Sequence, residues 1–500
     1  MNGSGHIKVL IFSVTIAAIS FLLSLKIRSM SNPRTVLVIG GGLAGLTAAH
    51  TALEHGAKVI LIDKKPSFGG NSVKASSGIN GAVTDAQKQH NIEDSVQAFY
   101  NDTERSAGSL ARPELIQTLT SNSAAALTWL STRFNVDLSI VSRLGGHSIP
   151  RTHRGQGGAP GWAMTSALIK KLEQVAASEP ERVKTIRGAK ATELLENEDG
   201  GIIGVQYEIA DGKQSERADV VILTTGGYAA DFADGGYLSR HRPDLLNLPT
   251  ASGDHATGDG LQLATSLQKR TAALCDIDQV QVHPTGFVDP KSPSSKTKIL
   301  AAEALRGAGG MLVDKNGERF ANELDKRDVV TAKMLELISA GRSPIWLLLG
   351  EDSANTLKTH CDFYLSKGLM KRYTDGNEFT RDKNLPSGNL AATFASFRSY
   401  ADGQESDPFG RVYFDHRHTD IGINQPLLVA EITPVVHYTM GGVSIDASAH
   451  VLDLQGVPIP GLFAAGEVIG GVHGENRLGG SSLLEAIVFG RIAGEGAMKI

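Results

Sequence analysis

Cysteine is nearly missing from this chain: Cys275 and Cys361 are the two present in 500 residues, far apart and in no CxxC or metal-ligand spacing. That scarcity excludes a disulfide framework and cysteine-held metal or iron-sulfur centres, and it leaves packing as the expected role of both side chains. No CxxCH run occurs, so no haem of the covalently attached kind is expected. An excess of one charge is lacking too: the net charge is -4, without long blocks of like sign, which argues against nucleic acid as a partner. Only one GxGxxG follows an apolar strand, so a separate NAD(P)H domain is not evident.

Glycine is plentiful instead, at 56 residues against a usual share of about 7%. Clusters at 40–45, 69–81, 226–227, 253–260, 307–310, 441–442 and 461–480 punctuate the chain where backbone must approach something closely, which suits a large flat ligand. The length exceeds one ordinary core and predicts two domains or more, with a ligand between them.

Residues 9–25 form an apolar run flanked by Lys8, Lys26 and Arg28, long enough to cross a thin bilayer. The charged, bulky stretch 24–30 offers no A-x-A-like cleavage site, so an uncleaved membrane anchor is the expectation, with a removed targeting sequence or a mitochondrial address as the alternatives. A polar break at Ser31-Asn-Pro-Arg34 separates this segment from the first strand.

From Thr35 the chain reads TVLVIGGGLAGLTAAHTALEHGAKVILID: a buried strand, GxGxxG at Gly40, Gly42 and Gly45, an Ala- and Leu-rich helix, and a second strand closed by Asp63. Gly40 suits the tight turn, Gly42 lets a pyrophosphate reach the backbone, and Gly45 lets helix pack on strand. The helix N-terminus turns its N–H groups and positive dipole toward phosphate, and Asp63 is placed to accept from ribose hydroxyls. Strand, turn, helix and acid together specify a dinucleotide site.

Further along stand Phe68-Gly-Gly-Asn-Ser72, Ala75-Ser-Ser-Gly-Ile-Asn-Gly81, Thr224-Thr-Gly-Gly227, Thr257-Gly-Asp-Gly260 and Leu462-Phe-Ala-Ala-Gly-Glu467. With these the chain resembles, over residues 34–500, the FAD-binding flavoproteins of the fumarate reductase and succinate dehydrogenase superfamily. The resemblance implies cofactor contacts from Gly40, Gly42, Leu43, Ala44, Gly45, Asp63 and Lys64. It adds Asn71, Ser72, Ser76, Ser77, Gly78, Asn80 and Gly81 from the small-residue segment, then Thr225, Gly226 and Asp259. Near the C-terminus it adds Gly466, Glu467, Ser482, Leu483 and Leu484, the last three opening a helix toward the flavin N1 and O2. Family members with a covalent flavin carry a histidine where Asn71 stands, so one noncovalent FAD per chain is expected.

A second set of stretches lies between the flavin segments: Gln281-Val-His-Pro-Thr285, Glu303-Ala-Leu-Arg-Gly307, Asn322-Glu-Leu-Asp-Lys-Arg-Asp328, His437-Tyr-Thr-Met-Gly-Gly442 and Glu475-Asn-Arg-Leu-Gly-Gly480. Together with Gly145-Gly-His-Ser-Ile-Pro-Arg-Thr-His-Arg154 they resemble the soluble, single-subunit fumarate reductases of fungi. A small dicarboxylate needs two separated clamps, which Arg477 with His437 at one end and His283 at the other could supply. Glu303 and Arg306, at i and i+3, share a face of a helical turn. The resemblance makes Arg327 the acid that protonates a substrate carbon, with Glu303 and Arg306 as its proton path, and counts His283 among the catalytic groups. Arginine is an unusual acid. A carbanion developing beside a carboxylate is base enough to accept its proton, and packing of Arg327 against Arg306 would disfavour two cations. The alternative for Arg327 is electrostatic stabilisation alone.

The fold expected is α/β: a Rossmann-like FAD-binding domain in two parts, 34–276 and 438–500, with an inserted α+β capping domain at 277–437 that closes over substrate. Residues 1–33 stay outside it. The stretches 291–298 and 375–407 read as polar surface segments. The resemblance implies fumarate reduced to succinate, which would reoxidise reduced flavins without oxygen. The electron donor would be reduced FMN, reduced FAD or a partner flavoprotein, since the chain has no relay of its own. The compartment implied is mitochondrion or endoplasmic reticulum, and the sequon Asn101-Asp-Thr103 would count only in a lumen. Rival readings are a related flavoenzyme acting on urocanate, an aspartate oxidase substrate or a ketosteroid, and a non-catalytic flavin-binding protein.

Overall fold

The computed structural model describes residues 33–386, 388–415 and 421–499. The apolar run at 9–25 lies outside them, and among the described residues no helix is long and apolar enough to cross a membrane.

Val36–Ile39 is apolar on both sides because it runs through the middle of a six-stranded sheet, ordered His450–Leu452, Pro458–Ala464, Val220–Leu223, Thr35–Ile39, Lys58–Asp63, Val183–Arg187. All pairs are parallel except His450–Leu452 against Pro458–Ala464. Helix Leu43–Glu54 covers one face, and helix Ser481–Gly496 packs on it. That approach is close: a Cβ at Gly490 would stand 2.8 Å from the Ala44 carbonyl oxygen, and one at Gly494 2.6 Å from that of Ala48. The last helix among the described residues is thereby locked against the first of them, and the N-termini of both reach one cavity at the C-terminal ends of the parallel strands.

A second sheet holds Val280–Phe287, Leu427–Thr439, Ile345–Gly350 and Met311–Val313 in that order, all antiparallel, with Lys371–Tyr373 on the long strand. One apolar cluster, from Phe287 to Ile432, fills one face of it, and another, from Met311 to Val429, the other. The large cluster around the parallel sheet takes in Val280, Val282 and Val436, so these two paired strands run from one core into the other.

The stretch 375–407 is not the surface segment expected. It forms helices Gly376–Lys383 and Asn389–Ala401, whose Phe379, Leu390, Phe394 and Phe397 are buried. Leu390, Phe394, Phe397 and Ala401 keep a helical spacing diluted by polar neighbours, which hides the stripe from a composition-based reading. The stretch 291–298 is an exposed loop except at Lys298, and its last two residues reach the cavity rim.

Candidate active site

The cavity, about 780 Å³, begins where the strands Thr35–Ile39, Lys58–Asp63 and Val220–Leu223 end. Gly40, Gly42, Leu43, Ala44, Asp63 and Lys64 line its first part. Asp63 fixes the turn by accepting from the Gly41 N–H at 2.7 Å and the Lys65 N–H at 2.7 Å. Lys64 reaches across to Asp259 at 2.7 Å and to the Thr257 hydroxyl at 2.9 Å. Burial works against the Asp259 charge, and the bonds from Lys64 and Thr257 overcome it, so its carboxyl lies below the usual range. Helix Leu43–Glu54 starts at Gly42 without a side-chain cap. Asn71, Ser72, Ser76, Ser77, Gly78, Thr225, Gly226, Asp259, Gly466, Glu467, Ser482 and Leu483 also line the cavity.

Four expected cofactor residues do not. Gly45 serves packing: a Cβ there would sit 1.9 Å from the Gly40 carbonyl oxygen. Asn80 stands one layer behind, donating from Nδ2 to the Gly479 carbonyl at 2.8 Å and to Ser481 Oγ at 3.0 Å. Gly81 is pressed on Leu127, and Leu484 points into the core. Spacing alone does not separate a residue that touches a ligand from one that shapes the loop that does.

FAD fits the lining. Ser76 Oγ, Thr225 Oγ1 and His255 Nε2 are buried and have no hydrogen-bond partner among the described residues, and all three residues line the cavity. Such orphaned groups are costly unless a polar ligand satisfies them. Gly226 has open space before it, as a backbone approached by a ligand requires.

The other end is built of long charged side chains. Arg327 opens helix Arg327–Ser339 and gives both Nε, at 2.7 Å, and Nη2, at 2.5 Å, to Glu303 Oε2, while its Nη1 donates to Gln281 Oε1 at 2.8 Å. Glu303 also accepts from the Gly145 N–H at 2.9 Å, and Arg306 stands 4.0 Å from its other oxygen. Burial opposes the Glu303 charge, yet the two guanidinium groups win and hold its carboxyl down at about 2. Arg306 donates to the Glu323 carbonyl at 2.6 Å. The short helix Glu303–Gly307 does put Glu303 and Arg306 on one face, but the Glu303 carboxylate lies between Arg306 and Arg327, so these two are not packed on one another as expected.

The clamps also differ from the expected layout. Pairing of Val280–Phe287 with Leu427–Thr439 sets His283 opposite Val435, which brings His283 and His437 edge to face with ring centroids 5.2 Å apart. They share one end of the site instead of marking two. His283 stands behind His437 and does not line the cavity, whereas His437, Arg327 and Arg477 do. Burial, reinforced by the surrounding arginines, drives both imidazoles well below the ordinary histidine range, so both are neutral. The His283 Nδ1 accepts from the Thr285 N–H at 3.1 Å, which leaves the proton on Nε2, a buried donor without a partner among the described residues.

A model of the family described as FAD binding domain matches residues 35–483. The chain belongs to this family. Among its relatives, this FAD-binding chain is 46% identical over 482 residues to a fumarate reductase of Schizosaccharomyces pombe, covering 96% of this chain and 92% of the relative. It is 43% identical to fumarate reductase 1 of Saccharomyces cerevisiae, over 92% of this chain and 97% of that one. Among solved structures, the open conformation of a flavocytochrome c3 fumarate reductase superposes with a TM-score of 0.71 at 32% identity, covering 96% of this chain and 81% of that one. The chain is thus an FAD-dependent oxidoreductase with a mixed α/β fold.

Three contributors to the site had no role assigned from sequence. Gln281 straps two arginine segments together: beside Arg327, its Nε2 donates to the Arg477 carbonyl at 2.7 Å and to Asn476 Oδ1 at 3.0 Å. Thr439 gives its N–H and hydroxyl to the Glu467 carboxyl. Tyr438 lies under Arg477. All three lie inside the motifs that carry the resemblance, at 281–285 and 437–442, which is the signal the sequence offers for them.

Proposed function

We propose that this chain reduces fumarate to succinate. The carrying observation is that Arg327, Arg477 and His437 line one end of the cavity whose other end is the dinucleotide cradle. Relatives at 46% and 43% identity bear the name fumarate reductase and support the reading. Arg306, Arg327 and Arg477 outnumber Glu303 at this end, which suits a dianion.

Reduced FAD, when bound, supplies a hydride to one alkene carbon. Arg477 offers its fork to one substrate carboxylate, and the neutral His437, backed by His283, donates a ring N–H to a substrate oxygen. Arg327 gives a proton to the second carbon as negative charge develops there. Glu303, bonded to Arg327 twice, fixes the guanidinium in place and passes it a replacement proton, with Arg306 next in line. One hydride and one proton convert fumarate to succinate.

The same reading takes 34–276 with 438–500 as the FAD-binding part and 277–437 as a cap that excludes water from the reaction. FAD is held without a covalent bond: Asn71 replaces the tethering histidine, and its amide oxygen accepts from the Gly253 N–H at 2.8 Å. Electrons come from reduced FMN, reduced FAD or a flavoprotein, and the protein resides in mitochondrion or endoplasmic reticulum on its N-terminal anchor, where it reoxidises flavins without oxygen.

Anaerobic mixing of the reduced, FAD-loaded protein with fumarate tests the central claim. Oxidised flavin absorbance should return at once with succinate as product. Reoxidation by urocanate or a ketosteroid, with fumarate inert, would transfer the assignment to that rival.

A further inference from the structure

Arg477 is 1% exposed, and among the described residues it forms no ion pair. Its Nη1 donates to the neighbouring Leu478 carbonyl at 3.1 Å, and its Nε has no partner. A guanidinium so placed needs a compensating negative field. The group stacked on it is the face of Tyr438, whose ring centroid is 4.3 Å from Arg477 Cζ, with Glu467 and Glu303 adding to the field without pairing with it. That ring is fastened at both ends. Its backbone belongs to the long strand Leu427–Thr439, and its hydroxyl donates to Glu485 Oε2, a carboxylate 1% exposed on helix Ser481–Gly496. The His473 Nε2 stands 3.4 Å from the same oxygen. A phenol that gives its proton to a buried carboxylate carries more electron density in its ring, which strengthens its hold on a cation.

We infer that Tyr438, held by Glu485, is a positioning residue: its ring carries the otherwise unpaired Arg477 guanidinium and aims the fork at a substrate carboxylate. The inference rests on Arg477 being the dicarboxylate clamp proposed above. It explains why an uncompensated arginine can stay charged and ordered in a buried site, and why two successive strand residues, His437 and Tyr438, both line the cavity. Tyr438 acts through Arg477 and not on the reacting carbons, so its loss weakens ground state and transition state alike, raising KM more than it lowers kcat.

The test is titration calorimetry of succinate into the oxidised, FAD-loaded protein, with kcat and KM for fumarate measured in parallel. Tyr438→Leu should weaken succinate about 10- to 30-fold, the range of a desolvated cation–π contact, with a matching rise in KM and a kcat within about threefold. Tyr438→Phe, which keeps the ring, and Glu485→Gln, which keeps an acceptor for the phenol, should stay within about threefold of wild type. If Tyr438→Leu does not load FAD, Tyr438→Met replaces it with the same expectation. Wild-type succinate affinity in the ring-less variant overturns the inference, as does equal weakening by Tyr438→Phe, which would trace the effect to the hydroxyl bond instead. Arg477→Met separates the two levels: unchanged succinate binding there removes the clamp reading itself, whereas strong loss there beside a silent Tyr438→Leu removes only the positioning role.

Discussion

The two ends of one cavity are made in opposite ways. At the dinucleotide end the surface is largely backbone and small side chains, and two polar atoms facing it, Ser76 Oγ and Thr225 Oγ1, have no hydrogen-bond partner among the described residues. At the reaction end the surface is Arg327, Arg477 and His437, backed by Arg306, His283 and Glu303, most of them tied to one another. The first end is complementary to a ligand that brings its own charge and length. The second holds charges in fixed places before any substrate arrives, which is what a site must do to stabilise charge that appears only during reaction. Glycines serve the first end and ion pairs the second, so substitutions should break them differently.

Gly42→Val should have the largest effect, because it removes the cofactor. Gly42 has φ -73, which any residue adopts, and a Cβ there meets only Ser72 Oγ at 3.9 Å, so the chain should fold. Branched bulk at the helix start blocks the pyrophosphate, and the purified protein should carry no flavin absorbance while its melting temperature matches that of the wild-type apoprotein. Flavin retained at full stoichiometry would show that the turn does not serve the phosphates. Gly40→Ala makes the useful contrast. There the added Cβ would lie 2.3 Å from the Thr224 carbonyl oxygen at φ +107, so stability itself should fall.

Arg327→Lys attacks the other end and should leave FAD bound. A lysine keeps the charge but cannot give two bonds to Glu303 and a third to Gln281. Turnover should drop on the order of 10³-fold, within the range for a positioned acid, with flavin content and succinate binding retained. Near-normal turnover would leave Arg327 no special task.

This contrast also explains what could be read in the sequence. The cradle is local: strand, turn, helix and acid occur within residues 35–63, and each glycine has a reason within a few residues of itself, so motif spacing found it. What spacing missed was depth, since Asn80, Gly81 and Leu484 lie in the right segments but face inward. The reaction end is assembled from residues 281, 303, 327, 437 and 477, which no periodicity connects, and only resemblance gathered them. Resemblance carried residue identities and not register. The placement of His283 beside His437 follows from the antiparallel pairing of two strands about 150 residues apart, a fact of topology that no local pattern contains. Helix Asn389–Ala401 was missed for a simpler reason: its four buried residues are spaced correctly but surrounded by alanine, serine and threonine.

The smallest effect expected lies where the two ends meet. Glu467 lines the cavity, is half-buried, and its carboxyl is pushed up from 4.5 to about 7 by desolvation, against the bonds from Thr439 and the charge of Arg477. In the unfolded apoprotein this group loses its proton near 4.5, whereas the folded one keeps it to about 7. The folded state therefore binds more protons across that window, and the stability this group contributes, complete below the lower value, is lost as pH rises through the upper one. The full swing is on the order of 3 kcal/mol. In Glu467→Gln the carbonyl oxygen can still accept from Thr439, and the titration is gone. Denaturant midpoints of the two apoproteins measured from pH 5 to pH 8 should diverge, the wild type falling relative to the variant as pH rises and the two running parallel above about pH 7.5. Parallel curves throughout would place the Glu467 proton equilibrium outside this window and assign its carboxylate to the charged, reaction-end style of construction. Divergence places it with the cradle, as an acid kept neutral until a cofactor needs it.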